Sequence, residues 1–86
     1  MTTIEEIITA IDQTIEMITE ATGATAGAGA TTDRALNNAS DLGITGSIEG
    51  LTAIQVALAN LSSRLGAAGS GAQQARETAQ AVADNT

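Results

Sequence analysis

Phenylalanine, tyrosine, tryptophan, histidine, cysteine and proline are all missing from this 86-residue chain, and the absences narrow what it can do. Without Cys there is neither a disulfide framework nor a thiolate zinc site. Without His and Cys, most of the side chains that perform acid/base, nucleophilic and metal chemistry are gone, so no catalytic constellation and no cofactor site is expected. Lysine is missing as well. Three arginines (Arg34, Arg64 and Arg76) stand against ten carboxylates, for a formal charge of -7. That balance, with no aromatic ring to stack on a base, makes nucleic acid a poor partner, and it disfavours anionic membranes too. The opening Thr3-Ile4-Glu5-Glu6 brings no basic start and no long apolar run. Neither a cleavable signal peptide nor a membrane insertion is therefore expected.

What the chain does have is periodicity. Apolar or small residues recur at alternating steps of four and three: Ile4, Ile8, Ile11, Ile15, Ile18, Thr22, Thr25, Gly29, Thr32, Leu36, Ala39. This is a heptad seam, the signature of a helix with one face packed on a neighbour. A second seam follows through Leu51, Ile54, Leu58, Leu61, Leu65, Ala68, Ala72, Ala75, Ala79 and Val82. The heptad phase passes unbroken through the glycine-rich stretches 23–29 and 66–71, which a flexible linker would have no reason to preserve. Both stretches are therefore read as helix, although each glycine costs a helix about 1 kcal/mol relative to alanine.

Boundary signals divide the chain into helix 1 (about 3–42), a turn (43–46) and helix 2 (about 47–84), a single all-α domain over residues 1–86. Thr3 and Glu6 form a capping box. Gly43 can end helix 1 in the left-handed conformation, with Ile44 folding back on Ala39. Ser47 offers a cap for helix 2, and Glu49 suits its first turn. So short a turn makes the helices antiparallel neighbours. Folding the chain at residues 44 and 45 sets the Ile-rich stretch from Ile4 to Ile18 opposite the Ala and Gly stretch from residue 71 to residue 85. Large side chains thus meet small ones, as a close-packed seam requires.

The expected hairpin core is Ile4, Ile8, Ile11, Ile15, Ile18, Leu36, Leu51, Ile54, Leu58, Leu61, Leu65 and Val82, with Gly43, Ile44 and Gly46 in the turn. A hairpin of this size buries too little apolar surface to be comfortably stable alone. Beside the seam, a second stripe of helix 1 carries Ile7, Thr14 and Met17 with several alanines, and a two-helix hairpin cannot cover it. We expect this stripe to contact another subunit, so that the hairpin self-associates into a bundle or larger assembly. Asp12, Glu16 and Glu20 line one helical face. With no His beside them they read as a solvated acidic face, or as one turned toward Arg34, Arg64 or Arg76 of a neighbour, rather than as a metal site. Gly27-Ala28-Gly29 lacks the Gly-Lys-Ser/Thr continuation of a phosphate loop.

Midway between the helices stands Ile44-Thr45-Gly46. This resembles the hairpin turn of the WXG100 family, small substrates of type VII (ESX) secretion in which a large apolar residue, any residue and Gly occupy that place. Ile44 stands where the family has Trp, and Gly46 matches. The resemblance implies a non-catalytic hairpin that pairs with itself or with a related hairpin. It also implies a secreted or cell-surface location reached without a signal peptide, with a cytoplasmic location as the alternative. The family's C-terminal export signal, a Tyr followed four residues later by an acidic residue, is absent, so a partner would have to carry it. The alternative is a subunit of a helical filament or tube built from stacked hairpins, which low charge density and the lack of aromatics favour.

Overall fold

The structure, a computed structural model, describes residues 3–85. Residues 1, 2 and 86, the ends of the expected domain, lie outside the described residues. Two helices make up the fold, α1 (Ile4–Leu42) and α2 (Thr45–Asp84). They run antiparallel as a hairpin, and no strand occurs among the described residues. Helix α1 is capped by Thr3, whose Oγ1 accepts the Glu6 backbone N–H at 3.1 Å, which is one half of the capping box. Glu5 and Glu6 sit in its first turn, where the helix dipole favours negative charge.

The reversal is tighter than the boundary signals suggest. Gly43 takes the left-handed conformation (φ 71°). Its N–H donates to Ser40 O at 3.2 Å, while the Ile44 N–H donates to Ala39 O at 3.0 Å. This pair of bonds is a Schellman motif, which satisfies two of the carbonyls left open at the end of α1. It completes the turn in two residues, so α2 starts at Thr45. Ser47 and Gly46 therefore lie inside α2. Ile44 occupies the cap position and gives no side-chain bond. A Cβ on Gly46 would meet nothing within 4 Å, and its φ is not positive. The turn thus rests on Gly43 and Ile44, with no conformational demand on Gly46.

Both glycine-rich stretches are continuous helix. Their register is fixed at three heights along the hairpin. Near the open end Arg76 Nε donates to Asp12 Oδ1, and nearer the turn Gln55 Nε2 donates to Asp33 Oδ1. Between them Gly69 stands over Ile18, close enough that a Cβ on the glycine would lie 3.6 Å from Ile18 Cγ2. These pairs fall about one position from the fold-back at residues 44 and 45.

The result is a rod of 65 × 18 × 14 Å with a radius of gyration of 19.1 Å, against about 12 Å for a compact domain of this length. Among the described residues no large side chain is fully buried; Thr32, Ala39 and Ala79 are the buried ones. Thr32 Oγ1 donates to Ala28 O at 2.8 Å and Thr25 Oγ1 to Ala21 O at 2.8 Å, so seam threonines satisfy their hydroxyls within their own helix.

Gly69→Ala should raise stability by about 1 kcal/mol, since the added methyl meets Ile18 at ordinary contact distance and the helix gains propensity. Gly43→Ala should lower it by about 1–2 kcal/mol, because its positive φ opposes a Cβ. Urea unfolding followed by circular dichroism measures both, and equal effects of the same sign would contradict this account of the two glycines.

Candidate association surface

Residues seven apart lie in nearly straight rows along packed helices. In α1 the seam is made of the row through Ile4, Ile11, Ile18, Thr25, Thr32 and Ala39 and the row through Ile8, Ile15, Gly29 and Leu36, all at least partly covered. Thr22, expected on the second row, is exposed. In α2 the row of Leu51, Leu58, Leu65, Ala72 and Ala79 is likewise covered.

The other seam row of α2 differs from expectation. Ile54, Leu61 and Val82, assigned to the hairpin core, are 47%, 44% and 49% exposed, and Ala68 and Ala75 on their row are exposed too. The covered row is instead Ile48, Gln55, Gly69, Arg76 and Ala83. The reason is steric and polar together. Gly69 admits the Ile18 side chain of α1, while Gln55 and Arg76 reach Asp33 and Asp12 across the seam. Turning α2 the other way would put bulkier Leu61 and Ile54 between the helices and break both polar contacts.

These contacts also establish the sides of the hairpin. Asp12 and Asp33 share a row of α1, and Gln55 and Arg76 share a row of α2, so both polar contacts lie on one side. Two shallow, open grooves follow the same side. The larger, about 460 Å³, is lined by Ile15, Ile18, Thr22, Leu65, Gly69 and Gln73 among others, where small residues leave the seam unfilled. On the opposite side, α1 presents the row of Ile7 and Thr14 with Met17 beside it, and α2 presents the row of Ile54, Leu61 and Val82. Ile7, Thr14 and Met17 are all exposed, Met17 at 63%. Thr14 Oγ1 donates to Ala10 O at 3.0 Å, so its hydroxyl is satisfied and its methyl is left to the surface.

Among the described residues no three carboxylates converge as metal ligands would. Asp12 of the acidic line pairs with Arg76 of the same chain, so that arginine is engaged at home rather than free for a neighbour. The ion pair is substantially exposed on both partners and contributes about 0–1 kcal/mol, a register pin more than a source of stability. No helix among the described residues is long and apolar enough to cross a membrane. Comparison with protein-family models, with characterised proteins and with solved structures yields no match.

Hydrophobicity alone assigns the α2 residues of the outward face to the seam. The signal for the other row is polar: the fold-back sets Arg76 close to Asp12 and Gln55 close to Asp33, which points to the row containing both.

Ile11→Asp or Leu58→Asp should unfold the hairpin, because a seam charge with no partner costs several kcal/mol. Ile7→Asp should leave helicity intact. Equal loss of the circular dichroism signal from Ile7→Asp and Ile11→Asp would contradict the division between seam and outward face.

Proposed function

We propose that this chain is a non-catalytic structural or interaction protein that works by packing against copies of itself or against a related helical hairpin. One observation carries the reading: the hairpin leaves Ile7, Met17, Ile54, Leu61 and Val82 exposed while no large side chain among the described residues is fully buried. Large apolar residues at regular heptad spacing on a surface are the mark of an unfilled helix interface. The composition fits the same role. An acidic chain with no His, Cys or aromatic residue has few of the groups used for catalysis and for stacking on bases.

Within that role, the chain resembles the small type VII secretion substrates in its two-helix architecture and in Ile44-Thr45-Gly46. Export by that route would place it outside the cell, with the Tyr-based signal supplied by a partner. The second reading is a subunit of a helical filament or tube. Its support lies at the turn, where Leu42 and Ile44 are exposed and offer an apolar tip for end-to-end contact.

Size-exclusion chromatography with light scattering, run across a concentration series and followed by negative-stain microscopy, tests the proposal. A discrete small assembly is the expected result. Open-ended fibres would select the second reading, and a monomer at every concentration would overturn both.

A further inference from the structure

We infer that the side of the hairpin opposite the Asp12–Arg76 and Asp33–Gln55 contacts is the docking surface for a second copy of this chain, and that the two copies close as a twofold dimer. The inference rests on the proposed self-association and adds which surface mediates it and where assembly stops.

The first argument is charge. A chain of net charge -7 meets itself against repulsion unless its carboxylates are kept from the contact. Here they are. The α1 rows containing Ile7 and Met17 and the α2 row containing Leu61 carry no carboxylate, so all ten lie on other rows. The opposite flank of α2 shows the contrast, because the row of Val56 also holds Glu49, Glu77 and Asp84.

The second argument is area. A compact chain of this mass exposes about 4,700 Å². This hairpin exposes 5942 Å², an excess of about 1,300 Å², against the roughly 800 Å² that each partner buries in a standard stable interface. The excess is larger than one side of a standard interface, so the rod has the exposed area that a second hairpin needs.

The third argument is sidedness. A surface that meets its own copy closes by a twofold axis, whereas open growth needs two different complementary surfaces. The other side of this hairpin carries Asp12, Asp33 and the acidic row of Val56, a poor seat for the apolar face of the next subunit. Association through this surface therefore ends at two chains.

Sedimentation equilibrium of the full chain and three variants tests this, with circular dichroism confirming that each variant is helical. Leu61→Asp and Met17→Asp lie on the proposed surface but on different helices, so one remains informative should the other unfold. Each should weaken the wild-type dimer by about tenfold or more. Val56→Asp, at a residue 58% exposed on the acidic flank, should leave it unchanged. A dimer that survives both surface variants, or that Val56→Asp disrupts equally, overturns the inference while self-association stands. Open-ended growth of the wild type also overturns it. A wild type that stays monomeric removes the proposed function as well.

Discussion

Two helices share one line of contact, and in this hairpin that line sets small residues against large ones. Gly69 receives Ile18, Thr25 and Thr32 take seam positions by returning their hydroxyls to their own helix, and Ala39 and Ala79 are buried. Everything else in the molecule follows from how narrow this seam is. A narrow seam holds two long helices in register, and it covers little apolar area per residue. Leu51, Leu58 and Leu65 of α2 enter it, while the row of Ile54, Leu61 and Val82 is displaced to the flank.

That displacement leaves an apolar face exposed on one side of the hairpin. Had Leu61 and Ile54 filled the seam, the hairpin would have been better buried and its outer faces more uniformly polar. With Gly69, Gln55 and Arg76 in the seam instead, apolar rows from both helices come together on one side and carboxylates collect elsewhere. The hairpin is then amphipathic at the level of the whole rod, as a single amphipathic helix is at the level of its faces. On the proposed self-association, stability and association are linked, since covering this face would stabilise the fold.

Much of this was legible in the sequence. Heptad steps gave both helices and carried them through Gly23–Gly29 and Gly66–Gly71, because phase survives a glycine even where propensity falls. The Gly43-Ile44 pair marked the reversal, and the fold-back placed large residues opposite small ones at nearly the observed register. Two features were not legible for identifiable reasons. Ser47 has the chemistry of a cap, but the Schellman motif finishes the turn before the chain reaches it. The α2 seam has two candidate rows flanking Leu51, Leu58 and Leu65, and hydrophobicity chooses the one with Ile54 and Leu61. The choice is made instead by the space that Gly69 opens and by the partners Asp12 and Asp33 hold out on α1, and both are properties of the pair of helices.

The seam leaves the hairpin marginally stable, and on the proposed self-association a second chain adds to that stability. Thermal unfolding followed by far-ultraviolet circular dichroism, repeated over a hundredfold range of protein concentration, tests that claim most directly. If folding is linked to association, Tm rises steadily with concentration. A Tm that stays constant across the range would contradict the account, because the hairpin would then be stable by its own contacts.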